Sequence, residues 1–220
     1  MKKAFLLIAV LFLTALVSHA QTEKGSQTLG LNFGFMYLKS TGVTINPYDN
    51  SMYDASTKTT RLNIGPSYSY FIGDKLDLGA AVYYGQNTSN YPAVNNFEKM
   101  SDHNYGGIIY ARKYFMFKDK VGLRAGPHIG YYHDINKVTF DQSSALYNNN
   151  TKTDNFEGGF NLDLVYHPTK HLGVTAALAG LNYTHYKANS DTQGNSKGDY
   201  FNSSFVNDGL SLSVFYAFGK

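Results

Sequence analysis

Residues 70–85 read YFIGDKLDLGAAVYYG. Two aromatic residues lead into the polar stretch Gly73-Asp74-Lys75, after which apolar and small residues alternate from Leu76 to Gly85. Alternation with a period of two is typical of a β-strand with one apolar face, and Gly and Asp are typical turn residues. The stretch therefore predicts a β-hairpin with a tight turn at its centre.

Related short turns recur in YFMFKDKVG at residues 114–122 and in VYHPTKHLG at residues 165–173. Long connections rich in Asn, Ser, Thr, Asp and Tyr separate these hairpins, at residues 40–58, 87–102, 136–154 and 188–202. Short and long connections alternate strictly along the chain. We therefore predict an all-β fold of eight antiparallel strands in up-and-down order, with all short turns at one end.

The alternation also assigns the faces of most strands. In residues 28–37, Leu29, Leu31, Phe33, Phe35 and Tyr37 share one face, opposite Thr, Gly and Asn residues. The strands that begin near residues 62, 76, 121, 159 and 210 divide in the same way. The fourth strand, residues 103–116, and the seventh, residues 172–187, alternate less well, and the sequence does not assign their faces.

Glycines indicate which way the apolar face points. Ten of them fall on the polar face, for example Gly30, Gly79 and Gly126. Exposed glycine weakens a strand, whereas the narrow lumen of an eight-stranded barrel favours small residues. We therefore predict a transmembrane β-barrel with a polar lumen and an outward apolar belt. Tyrosines near the strand ends would form its aromatic girdles: Tyr37, Tyr70, Tyr84, Tyr131 and Tyr166. The alternative in fold is a soluble lipocalin-like barrel, with the apolar face inside.

Two prolines fall inside predicted strands. Pro66 and Pro127 cannot donate to a neighbouring strand, and a closed barrel has no free edge to accommodate them. We expect a bulge or an interruption of the hydrogen-bond ladder at each proline, near a rim of the barrel.

The amino terminus has the three parts of a secretory signal peptide: Lys2 and Lys3, an apolar run over residues 4–17, and Ser18-His19-Ala20. We predict that residues 1–20 are removed and that residues 21–220 form the barrel domain. Removal of two lysines and no acidic residue lowers the formal net charge from +3 to +1. Such a charge does not indicate a nucleic-acid partner. The chain has no cysteine, which excludes disulfides and thiolate metal sites.

The chain resembles the OmpA-like and OmpX-like outer-membrane β-barrel proteins of the porin family over its whole predicted mature length. Residues 211–218, SLSVFYAF, resemble the terminal strand signal read by the outer-membrane assembly machinery, with Tyr216 and Phe218 as its aromatic residues. Gly219 and Lys220 follow, whereas that signal usually ends on an aromatic residue. Arg112 and Lys113 before Tyr114-Phe115 resemble a basic-aromatic stretch common in the family. The resemblance implies the outer membrane of a Gram-negative bacterium, with both termini in the periplasm.

Charged residues predicted to face the lumen are Arg61, Asp77, Arg124, His128, Glu157 and Asp163. Because an unpaired buried charge is costly, they are expected to pair as a structural plug. The alternative is a narrow or gated pore. His133-Asp134 and His103 beside Asp102 are the candidates for a lipid-modifying enzyme, although no His-x-Ser pair resembling the lipid A deacylases is present. His167 and His171 flank Pro168 and are expected to be solvated in a turn.

The function predicted from these features is a structural or surface-binding role through four long extracellular loops, without catalysis or cofactor. Tyrosines in those connections suit polar, adaptable recognition: Tyr48, Tyr53, Tyr91, Tyr147 and Tyr200. The expected partners are outer-membrane lipids and the assembly machinery, and the expected oligomeric state is a monomer. The sequence does not identify an extracellular ligand.

Overall fold

The computed structural model describes residues 22–45, 52–94, 97–140, 149–191, 194–205 and 212–219, so the predicted signal peptide lies outside the described residues. These residues form nine antiparallel strands: β1 (Gln27–Ile45), β2 (Met52–Gly73), β3 (Leu76–Val94), β4 (Phe97–Phe117), β5 (Val121–Phe140), β6 (Asn149–Tyr166), β7 (Leu172–Ser190), β8 (Gly194–Phe205) and β9 (Leu212–Phe218). No helix among the described residues is long and apolar enough to span a membrane.

Each strand from β1 to β7 pairs with its neighbours in sequence, as in an up-and-down meander. The last position in the ring is shared, because β9 pairs with the lower part of β7 and β8 with its upper part. Six residue pairs between β9 and β1, from Gln27–Phe218 to Asn32–Ser213, then close the ring. The predicted eight-stranded antiparallel barrel is confirmed, with its eighth strand divided into two segments.

The predicted faces are confirmed for the described residues, whereas Leu210 and Ser211 of the predicted eighth strand lie outside them. On β5, Ile129 is 60% exposed, whereas its lumen-facing neighbours Arg124 and His128 are buried. On β1, Phe33 and Phe35 are likewise exposed. A soluble lipocalin-like barrel would bury these apolar side chains in its interior. Their outward exposure, repeated on every strand, contradicts that alternative and forms an apolar belt.

The two strands with poor alternation have different physical causes. In β7 the register against β6 shifts, since Leu162 faces Ala179 while Asp163 faces Ala177, which leaves Leu178 as an extra residue. Such a β-bulge reverses which residues face inward. In β4, large side chains occupy both faces, with Tyr110 and Tyr114 buried on the lumen side.

Both prolines interrupt a ladder, although neither produces a bulge. Pro66 is paired with Leu31 of β1, but the β2–β3 ladder has a gap from Gly65 to Pro66. Pro127 is paired with Phe160 of β6, and the gap lies on the side of β4. The register is the same before and after each gap. The predicted interruption is confirmed, but the predicted location near a rim is wrong, because both prolines lie well inside their strands.

The short turns occur where they were predicted, and positive φ angles at Lys75, Lys118 and Asp119 reverse the chain in two of them. The four predicted long loops are largely strand instead. For example, β3 continues to Val94 and β4 begins at Phe97. Cross-strand pairing continues past the apolar belt because polar strands can keep their ladders in water. Hairpins therefore extend beyond the belt at the end opposite the short turns.

Close packing at one lumen glycine provides a test of the barrel. A Cβ at Gly126 would overlap the backbone of Ala111 and Arg112 in β4, whereas a Cβ at Gly34 would meet only Asn63, at 3.6 Å. We expect Gly126→Ala to lower the free energy of unfolding by about 1–3 kcal/mol, because backbone cannot give way as a side chain can. Gly34→Ala is the control on the same face. Urea titration in detergent micelles measures both, and equal midpoints would contradict the packing described.

The lumen as candidate functional site

An apolar cluster fills the lumen at the end with the short turns. Phe71, Tyr114 and Val165 are at most 1% exposed, and Phe215 joins them. The rings of Phe71 and Tyr114 are 5.3 Å apart between centroids. We call this cluster the floor of the lumen. Its members come from β2, β4, β6 and β9, so it joins opposite walls of the barrel.

Beside the floor, Asp77 is the cross-strand neighbour of Phe71, and it is fully buried and paired with Arg112. Arg112 donates from Nη2 to Asp77 Oδ2 at 2.6 Å and from Nε to Oδ1 at 3.1 Å. Ser69 and Tyr114 donate their hydroxyl groups to the same carboxylate. The guanidinium carbon of Arg112 also lies 3.8 Å from the centre of the Tyr110 ring. A bidentate pair with further donors satisfies both buried charges.

A second ion pair lies on the other side of Tyr114. Arg124 donates from Nη2 to Asp163 Oδ2 at 2.6 Å and from Nε to the same atom at 2.9 Å. Its Nη1 lies 3.5 Å from the hydroxyl of Tyr114, which donates to Asp77. The two ion pairs and Tyr114 therefore form one connected charged layer across the lumen.

The remaining predicted lumen residues lie higher. His128 Nε2 is 3.0 Å from Glu157 Oε1, so these two are also partners. Arg61 is exposed and has no hydrogen bond or ion pair with any other described residue, contrary to the pairing expected for it. Sequence reasoning missed Arg112 as a lumen residue. Register could have identified it, since Asp77 and Arg112 are direct cross-strand neighbours in β3 and β4.

A cavity of about 580 Å³ lies above the charged layer. Its walls include residues of the polar lumen face, such as Asn32 and Asn63. They also include outward residues of β1 and β9: Phe33, Phe35, Leu212 and Val214. Arg61 lines this cavity and also a smaller one next to it, where Asp102 is the acidic residue. The lumen is therefore closed at its floor and hollow in its upper half.

His133, one of the two histidines considered for catalysis, pairs across strands and not with its sequence neighbour Asp134. His133 Nδ1 lies 2.7 Å from Asp154, which also accepts from Tyr131. His185, Tyr183 and Asp199 repeat this arrangement between β7 and β8. These side chains lie on the outward face, where they add polar groups to the girdle at the end far from the short turns.

His103 has different neighbours. Its Nε2 lies 3.3 Å from Ser101 Oγ and its Nδ1 lies 3.3 Å from the Tyr84 hydroxyl. Asp102 points to the opposite face, where it accepts from Asn87 and Asn136. Among the described residues, the imidazole thus has no carboxylate partner of the kind that orients the base of a catalytic triad. No group of three or more His, Asp or Glu within the described ranges could hold a metal ion.

His167 is buried, which corrects the expectation of a solvated turn. Its side chain is 1% exposed, and its ring packs edge-on against Phe215 with 5.3 Å between centroids. Neither ring nitrogen has a hydrogen-bond partner in the part of the chain that the structure describes. Burial lowers the pKa of His167 to about 4, with a smaller contribution from Arg124. His171 is half-buried and stacks on Tyr216.

Comparison with known proteins finds no matching family model and no matching curated protein. Among solved structures, the chain is similar to the outer membrane protein OprG from Pseudomonas aeruginosa, at 13% identity over 92% of this chain and 99% of that one, with a TM-score of 0.47. A major outer membrane protein from Thermus thermophilus matches at 10% identity over 89% and 100%, with a TM-score of 0.47. AlkL matches at 14% identity over 93% and 95%, with a TM-score of 0.43.

The chain itself has the features of a membrane-spanning barrel. Its strands form a closed antiparallel ring at the level of β9, with an outward apolar belt, aromatic residues at the margins of the belt and a polar lumen. This arrangement is that of an outer-membrane β-barrel.

The buried ion pair provides a test of the charged layer. Asp77→Asn would leave Arg112 buried without its counter-charge, and we expect a loss of about 3–5 kcal/mol in the free energy of unfolding. Asp119→Asn is the control, because Asp119 and Lys75 form an exposed pair 3.6 Å apart, for which a loss below about 1 kcal/mol is expected. Chemical unfolding in micelles measures both. Equal losses would show that the buried pair has no special importance.

His167 predicts a dependence of stability on pH. Its pKa is lowered in the folded barrel, so the unfolded chain binds the proton more readily, and stability should fall as pH decreases from about 6.5 to 4. His167→Phe keeps a ring against Phe215 and should lose this part of the acid sensitivity. Unfolding midpoints at pH 7 and pH 4 measure the difference. Parallel pH profiles for the wild type and the variant would contradict a buried neutral imidazole.

Proposed function

We propose that the protein is a non-conducting, non-catalytic outer-membrane barrel whose role is binding at the end opposite the short turns. The observation that carries this proposal is that two layers of side chains, the apolar floor and the charged layer, close the lumen. The floor consists of buried apolar side chains, and the charged layer that adjoins it holds four side chains in ion pairs. Ions would have to break both layers to cross.

The upper half supports a binding role. The cavity above the charged layer is hollow and has Asn, Ser, Tyr and Arg side chains in its walls. The hairpins beyond the belt add polar surface around it. We propose that these hairpins are extracellular and that the short turns lie in the periplasm, in agreement with the usual asymmetry of outer-membrane barrels. A rigid scaffold with polar extensions at one end is suited to recognition.

The alternatives are less well supported by the geometry. A gated pore would require Phe71, Tyr114, Val165 and Phe215 to separate together, although they come from four strands. A lipid-modifying enzyme would require an oriented base, and the only described Ser–His contact on the outward girdle, between Ser101 and His103, has Tyr84 in place of a carboxylate.

The carboxyl terminus supports the proposed interaction with the assembly machinery. Tyr216 and Phe218 stack with 6.4 Å between centroids at the belt margin of β9. β9 is also the segment that closes the ring against β1. We propose that the aromatic side chains are recognised before closure and face lipid afterwards, and that the assembled barrel is a monomer.

Conductance in planar bilayers tests the closed lumen. The purified wild-type protein should give no steady open pore. Phe71→Ala combined with Phe215→Ala removes two aromatic rings from the floor and should increase ion leakage, whereas Phe115→Ala, on the outward face, should not. A steady wild-type conductance that is insensitive to the floor variants would overturn the proposal.

A further inference from the structure

Exposed lysines occupy the outward face of the hairpins just beyond the apolar belt. On the four neighbouring strands β5 to β8, they are Lys137, Lys152, Lys187 and Lys197. Lys187 lies four residues beyond the girdle residue Tyr183 along β7, and both side chains point outward. Lipid headgroups are found at this level of a membrane barrel. We call these four residues the lysine band.

Two members of the lysine band face each other directly. Lys187 of β7 is the cross-strand neighbour of Lys197 in β8. Side chains in such positions have their Cβ atoms about 4.5–5.5 Å apart, and like charges there repel each other. Lys152 of β6 is diagonal to Lys187, since its own neighbour in β7 is Asn189. The register of three strands therefore brings three lysines together on one face.

The carboxylates nearest to the facing lysines already have other partners. Asp154 is the neighbour of Lys187 on the side of β6, but its carboxylate accepts hydrogen bonds from Tyr131 and His133. Asp199 of β8 accepts from a tyrosine and a histidine in the same way. No lysine of the band has a hydrogen bond or ion pair with another residue whose side chain the structure describes. The repulsion within the band is therefore not relieved by a salt bridge among these residues.

A facing pair of lysines recurs on β1 and β2. Lys39 and Lys58 are direct cross-strand neighbours, both exposed, and Lys39 lies two residues beyond Tyr37 of the girdle. The lysine at the first short turn differs, because Lys75 lies 3.6 Å from the carboxylate of Asp119. Since facing lysines repel, two such pairs just beyond the belt favour an anion that lies between their ammonium groups.

We propose that the lysine band is a docking site for the headgroup of a phosphate-bearing, anionic membrane lipid. Lys187 and Lys197 bind the phosphate between them, and Lys152 adds a third positive charge beside it. Each lysine near an anionic headgroup contributes about 1 kcal/mol of attraction. The acyl chains descend along the outward face against Tyr183 and its cross-strand neighbour Phe201. This site deepens the expected contact with outer-membrane lipids and rests on the barrel lying in a bilayer.

The absence of tryptophan from the chain permits a direct test with single reporters. Phe201→Trp places an indole on the outward face of β8, four residues from Lys197 on the side of the belt, and Phe115→Trp places one on the outward face near the short turns. Each protein is reconstituted in nanodiscs of phosphatidylcholine containing phosphatidylglycerol, with bromine on the acyl chains of one lipid at a time, close to the headgroup. Phe156→Trp, on β6, is the second reporter if Phe201→Trp does not fold, as judged by heat-modifiable gel mobility.

Phe201→Trp should be quenched by brominated phosphatidylglycerol about fivefold more than the mole fraction of that lipid predicts. Lys187→Gln combined with Lys197→Gln should remove this preference, whereas Lys187→Arg combined with Lys197→Arg should keep it, because the positive charges remain. Lys75→Gln combined with Lys170→Gln is the matched control. It removes the same net charge at the short turns and should leave the preference at Phe201→Trp unchanged.

Three results would overturn the proposal. The first is quenching of Phe201→Trp without preference for the anionic lipid, or with a preference that survives both glutamine substitutions in the band. The second is an equal loss of preference in the control at the short turns, which would reduce the effect to net charge. The third is loss of the preference in millimolar inorganic phosphate at constant ionic strength, which would make this a site for free phosphate. Phe115→Trp should be quenched by both lipids in every background, which checks the bilayer location separately from the lysine band.

Discussion

The pairing of backbone hydrogen bonds around the ring is the constraint on which the rest of this structure depends. Inside a bilayer, each amide and carbonyl must find a partner within the protein, so a sheet in lipid has to close on itself. Here six residue pairs between β1 and β9 achieve the closure. They lie at the end with the short turns, where the lumen is also most densely filled. Closure and filling are thus concentrated in the same half of the barrel.

Eight strands leave a narrow lumen, and this explains the distribution of its side chains. Glycines allow neighbouring strands and large side chains to approach, as at Gly126 against the backbone of β4. Tyr114 and the two arginines, Arg112 and Arg124, fill the space that the glycines leave in the lumen. Because Tyr114 belongs to the floor and also donates to Asp77, the apolar and charged layers are mechanically one unit.

The upper half of the barrel differs because its lumen is hollow. β7 carries a bulge at Leu178, between the part of the strand that pairs with β9 and the part that pairs with β8. The cavity of about 580 Å³ lies in this half, and the guanidinium of Arg61 in its wall has no partner in the described ranges. The barrel therefore combines a densely filled half at the short turns with a hollow half that is lined largely by polar side chains.

The sequence by itself determined the architecture, because a period of two is a local property: Leu29 to Tyr37 identify an apolar face, and the glycines opposite identify the lumen. It also placed Asp77, Arg124, His128, Glu157 and Asp163 inside the barrel. It could not determine the partners, since Arg112 meets Asp77 only through the register of β3 and β4, and β4 has large residues on both faces. Tertiary structure alone decided four features: the burial of His167, the bulge that reverses the faces of β7, the division of the last strand position between β8 and β9, and the separation of Arg61 from the other described charges. Each depends on how distant strands are aligned, and alignment is set by the closed ring as a whole and not by any one segment.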